Sequence, residues 1–248
     1  MSEAQHEQAR LFPESRQISI ESPPEYPHPT AIQLHSESKQ AVEFVAHTLR
    51  MDPDIIQLGE IRTAAEGHGA VHAARTGHFV WTTLHVTDAY RALTRLDELD
   101  PHELGLRSLC DHELIAGLIA IRVVPLLCPH CKTLLAGHQN KIPRFMHQAL
   151  STWGGLERIY VQGDGCEACH GDGTIGRQAV AEVVITDETL MSDFLKVGIL
   201  EARRRHRMKP NADKSLLANA IDLVLNGLVD PRDVHRHVHP IEPKSDGL

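Results

Sequence analysis

The sequence predicts an α/β fold with a largely parallel sheet, followed by a cysteine-bearing insertion and a helical C-terminal region. Three observations lead there. Short apolar runs alternate with helical patterns over the first half, as in chains that build parallel sheets from strand–helix–strand connections. Two C-x-x-C pairs, "CPHC" and "CEAC", punctuate a glycine-rich stretch between residues 128 and 182. Beyond it, "ETLMSDFLKVGILEARRRHRMKP" and "SLLANAIDLVLNGLVD" return to helical spacing.

Taken in order, residues 1–17 are polar and are expected to form a disordered tail. "ISIE" (18–21) reads as a short strand, ended by "SPPEYPHPT", whose prolines rule out helix. In "ESKQAVEFVAHTLR", Ala41, Phe44, Val45 and Leu49 fall near helical spacing. "DIIQL" reads as a buried strand that stops at Gly59 and Glu60. Residues 64–75 are alanine-rich and read as helix despite Gly67 and Gly69. "GHFVWTTLH" is a second buried strand, and "TDAYRALTRLDEL" a helix capped by Thr87 or Asp88. Residues 104–122 read as an apolar helix, with Cys110 buried in it, leading into "LCPHCK". The expected divisions are thus a tail at 1–17, a sheet domain at 18–123, a cysteine module at 124–184 and a helical region at 185–248.

Bulk properties narrow the function. The chain has 248 residues and a formal net charge of -8, which argues against direct nucleic-acid binding through a basic surface. Aromatics make up only 4%, so stacking on bases is not its main business. No secretory signal is visible, and the most apolar segment, 114–127, is broken by Arg122 and Pro125. A cytoplasmic protein, peripheral at most to a membrane, is expected. The basic run 201–210 reads as a solvated helix end or a contact with a neighbouring subunit or anionic surface, and "DVHRHVHP" as an exposed polar tail.

Cys128, Cys131, Cys166 and Cys169 form C-x2-C…C-x2-C with 34 residues between the pairs. Four thiolates on two such knuckles can close tetrahedrally on structural Zn2+. Redox pairs and free core thiols are the alternatives. Zinc is favoured because the surrounding glycines of "GDGCEACHGDG" supply the tight turns a knuckle needs.

Three stretches, "IESPPEY", "MDPDIIQLGEIR" and "TGHFVWTTLHVTDA", stand in an order and at a spacing that resemble the secretion and pilus motor ATPases. These are the P-loop ATPases of type II secretion, type IV pili and related conjugative systems, with a RecA-like core. The resemblance runs from about residue 18 to 184 and extends to "GCEACHGDGTIGRQAVAEVV", similar to the tetracysteine signature of the type II branch. It implies ATP and Mg2+ as ligands. Glu60 resembles the Walker B glutamate that holds magnesium through water, and Glu21 and Glu25 the aspartate-box carboxylates, one of them a base or water-positioning group. His85 resembles the histidine that reaches the γ-phosphate. Arg50, Gly59, Arg62 and His78 are the expected nucleotide-binding companions. The resemblance further implies a homo-hexamer with ATP at subunit edges, acting with inner-membrane secretion or pilus platform proteins.

Some positions depart from the family pattern. Ser22, Thr63 and Val86-Thr87 replace the family's Asp, Asp and Thr-Asn, and "AAEGHG" lacks its Glu-Thr-Ala. No G-x-x-x-x-G-K-[ST] and no Gly-Lys pair occurs in the 248 residues. That loop normally cradles phosphates with backbone N–H groups and a lysine. The expectation is a C-terminal part of a motor ATPase, from a truncated reading frame or a degenerate paralogue, with an exposed sheet edge and weak or absent ATP binding alone. A non-catalytic, zinc-dependent docking module and a remnant of a truncated gene are the other readings.

Overall fold

A computed structural model describes residues 2–24, 26–36 and 41–245. The chain divides into two compact units, Met1–Ala116 and Gly117–Leu248.

The first unit is built on a four-stranded parallel sheet in the order β2-β1-β3-β4, with β1 at Gln17–Glu21, β2 at Ala31–His35, β3 at Ile55–Leu58 and β4 at Phe79–Thr82. The register aligns Ile18, Ile32, Ile56 and Val80 in one row, and Ile20, Leu34, Leu58 and Thr82 in the next row on the same face. All four residues of β3 are buried, which is why this stretch reads as a continuous apolar run rather than an alternation. The other face carries Ser19, Gln33, Gln57 and Trp81 in register.

Helix α1 (Ser2–Leu11) corrects the expectation of a structureless tail. It is tied to the sheet by a 2.6 Å hydrogen bond from Trp81 Nε1 to Gln8 Oε1, and Ala9 is buried. A polar helix held by one side and a few contacts leaves little apolar periodicity to read. Strand β2 was also hidden: it is an edge strand whose residues are at most half-buried, directly after a proline cluster.

Helix α2 (Ala41–Thr48) precedes β3, and α3 (Ala64–Arg75) follows it. Thr63 starts α3 with a capping box: its side chain accepts from the Glu66 amide while Glu66 accepts from the Thr63 amide at 2.9 Å. Gly67 inside α3 has a packing cause, since a Cβ there would sit 2.5 Å from Leu104 Cδ1. Helix α4 (Arg91–Leu99) starts after Tyr90, not at the expected Thr87 or Asp88 cap, although Asp88 Oδ1 still accepts from the Arg91 amide at 3.3 Å.

The long helix expected over residues 104–122 is not formed. A single turn, α5 (Leu106–Leu109), is followed by β5 (Gly117–Leu127). Leu118, Ala120 and Val124 are buried while Ile119, Ile121 and Val123 are 43–50% exposed, a period of two that strand geometry demands. The β-branched residues in this run also favour strand over helix. Cys110 therefore lies past the end of α5, half-buried, and burial together with the nearby Asp97 pushes its thiol up to about 11.

In the second unit β5 pairs antiparallel with β8 (Thr174–Ile185) from Gly117↔Ile185 to Leu127↔Thr174. This pairing places β5 with the cysteine module and moves the unit boundary ahead of the expected 123/124 division. Between these strands lie β6 (Thr133–Leu134), α6 (Arg144–Ser151) and β7 (Tyr160–Val161), with β6 and β7 paired. Helices α7 (Glu188–Lys196), α8 (Ile199–Arg207), α9 (Leu216–Leu225) and α10 (Pro231–His237) close the unit. The basic run on α8 is mostly paired: Arg204 and Arg205 bind Glu201, and Arg205 also binds Asp193. Helix α10 corrects the reading of an exposed polar tail. Asp230 caps it, Pro231 occupies its first turn and Val234 is fully buried.

Candidate functional site

In open parallel sheets, ligands meet the carboxyl ends of the strands. The carboxyl edge of the first unit's sheet gathers Glu21 and His35, which end β1 and β2, with Gly59 and Glu60 after β3 and Thr83 and His85 after β4. Glu60 is held on both sides: Oε1 lies 3.0 Å from His85 Nε2, and Oε2 accepts from Arg62 Nε at 2.6 Å. Its side chain is 19% exposed whereas the His85 side chain is 92% exposed. The carboxylate is therefore fixed and the imidazole is free to turn toward a ligand. The hydrogen bond and charge of Glu60 raise the Arg62 guanidinium above its ordinary value.

Backbone contacts fix this edge. Gly59 N donates to Ile20 O at 2.9 Å, Thr83 Oγ1 donates to Gly59 O at 2.6 Å, and Ile61 N donates to Thr83 O at 3.0 Å. A Cβ on Gly59 would lie 3.5 Å from Glu21 Cγ, which places the Glu21 side chain beside the β3 exit. Glu21 Oε1 accepts from Gln33 Nε2 at 3.4 Å, and Gln33 also donates to Tyr26 O at 2.8 Å. No sequence pattern signals the roles of Gln33 and Thr83. Gln33 sits on the unread strand β2, and a threonine bonded to a glycine carbonyl leaves no spacing signal. Glu25 lies outside the described residues.

Arg50 and His78 are not brought to this edge. Both precede their strands and so stand at the amino edge of the sheet: Arg50 is exposed on a 3-10 turn before β3, and His78 Nδ1 lies 3.1 Å from Ala73 O at the end of α3. The oxygen donors of Glu60 and Glu21 suit a hydrated magnesium ion, which takes one or two carboxylates and keeps its waters. No lysine-bearing phosphate loop accompanies them in the sequence.

The second unit holds a separate centre. The Sγ atoms of Cys128, Cys131, Cys166 and Cys169 all lie within 4.8 Å of one another. Cys128–Cys166, Cys166–Cys169 and Cys131–Cys169 are 3.7, 3.7 and 3.8 Å apart. Four sulfurs about 2.3 Å from a central zinc define a tetrahedron with edges of about 3.8 Å, so the cluster has the size of a metal cage. Amides stabilise a thiolate at Cys169: the Cys166 and Gly173 N–H groups lie 3.2 and 3.1 Å from its sulfur. Although burial raises it, these amides and the neighbouring thiols bring Cys169 down to about 6. Burial, with the three other sulfurs, pushes Cys131 up to about 12. The Cys169 thiolate forms readily while Cys131 resists a second negative charge beside it, which a bound cation relieves. The cluster can hold a metal ion.

The described residues thus build a mixed α/β unit on a parallel sheet, followed by a unit that carries a four-cysteine cluster. The family model described as Type II/IV secretion system protein matches residues 8–236, and the chain belongs to this family. It is 33% identical over 204 residues to the type IV pilus assembly ATPase PilB of Thermus thermophilus, covering 79% of this chain and 22% of that protein. It is 31% identical over 236 residues to the type II secretion system protein E of Dickeya dadantii, covering 92% of this chain and 44% of that protein. The chain thus spans less than half the length of these relatives. Among solved structures, the pilus retraction motor PilT with bound ADP superimposes with a TM-score of 0.60 at 19% identity, covering 94% of this chain and 54% of that chain. The ATPase DotB of Legionella pneumophila gives 0.57 at 21%, covering 88% of this chain and 50% of that chain. Among the described residues no helix is long and apolar enough to cross a membrane.

Proposed function

We propose that this chain contributes the acidic, histidine-bearing side of a nucleotide site in a motor ATPase for type II secretion, type IV pilus assembly or conjugative transfer. One observation carries the reading: Glu60 sits at the carboxyl end of a buried central strand with His85 and Arg62 on its two oxygens. Bound magnesium supplies charge neutralisation at the transferring phosphoryl group, and Glu60 would hold it through its hydration shell. His85 turns from Glu60 to the terminal phosphate, and Arg62 offers a cation to the same oxygens. Glu21 or Glu25 orients the attacking water and accepts its proton.

ATP brings about four negative charges to an edge rich in carboxylates, and these 248 residues contain no G-x-x-x-x-G-K-[ST] loop to cradle them, Arg62 being the one cation the described edge offers. ATP binding by these residues alone is therefore weak, and turnover requires the loop to be supplied, by a longer form of the chain or by another subunit. We place the chain in a cytoplasmic ring of six at an inner-membrane platform, with structural zinc on the four cysteines. The test is ATPase activity of a Walker A-bearing relative, with and without this chain. Enhancement that Glu60→Gln abolishes supports the reading; no enhancement at any ratio overturns it. A second reading, a docking module without turnover, draws on the completeness of the cysteine cluster beside the incomplete nucleotide edge. Zinc-dependent binding to a platform protein with no effect on turnover would favour it.

A further inference from the structure

The first unit also gathers histidine and carboxylate side chains between α3 and the turn after α4. His68 and His72 stand one turn apart on α3 and so share a face. Opposite them, Asp100 ends α4 and Glu103 lies in the turn before α5. His68 Nε2 is 2.9 Å from Asp100 Oδ2 and 3.7 Å from Glu103 Oε2. Adjacent nitrogen and oxygen ligands of one zinc ion stand about 3.0–3.4 Å apart, a spacing these two distances bracket. His68, His72, His102 and Glu103 all line one cavity of about 530 Å³.

A structural pin between α3 and α4 needs only the His68–Asp100 contact. That pin, with Asp100 Oδ1 accepting from the His102 and Glu103 amides at 3.0 and 3.3 Å, sets Glu103 near the same imidazole but requires no contact from its carboxylate. Nor does it account for His72, whose exposed ring has no hydrogen-bond partner among the described residues, or for the exposed His102 beside Glu103. Two histidines at i and i+4 on a helix are a recurrent zinc-binding arrangement, because both rings reach one point outside the helix.

We propose that His68, His72 and Glu103, with Asp100 or His102 completing the set, bind a borderline divalent transition ion such as Zn2+, Co2+ or Ni2+. Imidazole and carboxylate donors suit these ions. Among the described residues only the four cysteines already lie mutually within 4.8 Å, so this site closes by rotation of the exposed His72 and Glu103 side chains. It therefore binds more weakly than the thiolate cage. Its effect is to clip α3 to the turn after α4. Because α3 begins at Ala64, just beyond Arg62, the clip also steadies the loop that carries Glu60.

The test counts metal on the full chain with its cysteines loaded. After dialysis against buffered micromolar zinc, two zinc ions per chain are expected. His72→Ala, an exposed change that leaves the fold intact, weakens the second site about tenfold or more and leaves the first unchanged. Glu103→Gln does the same. The doubly substituted tail His237→Ala/His239→Ala keeps both ions. A single zinc per chain overturns the proposal. So does a second zinc that survives His72→Ala or disappears with the tail substitutions.

Discussion

Arg207→Met should unfold the second unit far more easily than an ordinary surface substitution. Glu182, on β8, has a side chain 2% exposed, and Arg207, at the end of α8, one 9% exposed. Glu182 Oε1 accepts from Arg207 Nη2 at 2.5 Å and from Nε at 3.1 Å, and Oε2 accepts from the Leu216 amide at the start of α9 at 3.3 Å. One carboxylate thus joins a strand and two helices. Removing the guanidinium leaves a buried carboxylate with only the weak Leu216 bond, at a cost of about 3–5 kcal/mol. Glu182→Leu alone takes from the buried guanidinium its carboxylate partner and should also destabilise the unit. The double variant removes both charges, loses about 1 kcal/mol for the Leu216 bond, and should stand well above either single variant. The assay is equilibrium urea unfolding with zinc present, followed by Trp153 fluorescence in a Trp81→Phe background so that only the second unit reports. Single variants that each lose under about 1 kcal/mol, or a double variant that falls by the sum of the two, would refute this account of the pair.

Two other outcomes follow from the second unit. Cys131→Ser should release the metal and unfold residues 128–182, because structural zinc contributes on the order of 10–16 kcal/mol to such modules; elemental analysis finding one retained metal per chain would contradict the ligand set. His206 is held below its ordinary value, first by burial and then by Lys209 and Arg207, against Asp187 and Glu182. The unfolded chain then binds the extra proton first, so stability is full above about pH 6.5 and declines as pH falls through the folded value. His206→Phe should flatten that slope in urea midpoints measured across the range, and an unchanged slope would count against it.

Much of this architecture was legible in the sequence because its signals are local. A buried parallel strand must be apolar throughout, so β3 stands out, and Glu60 with it. The four cysteines are defined by spacing alone. Helix α3 was readable through its alanines, although only packing explains Gly67, which makes room for Leu104. The failures share a cause. β5 exposes one face of an apolar strand, so residues 114–124 look as apolar as a buried helix, and only pairing with β8 settles the period. Helix α1 and strand β2 depend on a few tertiary contacts, such as Trp81 to Gln8, that leave no pattern. Arg50 and His78 flank strands in the sequence, but strand direction carries them to the edge opposite Glu60.

Among the described residues the carboxyl edge of the first sheet gathers Glu21, Glu60 and His85, the proposed acidic side of a nucleotide site, and these 248 residues hold no Walker A loop. Titration calorimetry of magnesium-ATP into the purified chain tests this directly. The expected result is no saturable heat at micromolar nucleotide, with binding appearing only when a Walker A-bearing subunit is added and disappearing again in Glu60→Gln. Micromolar affinity for ATP in the chain by itself would contradict it.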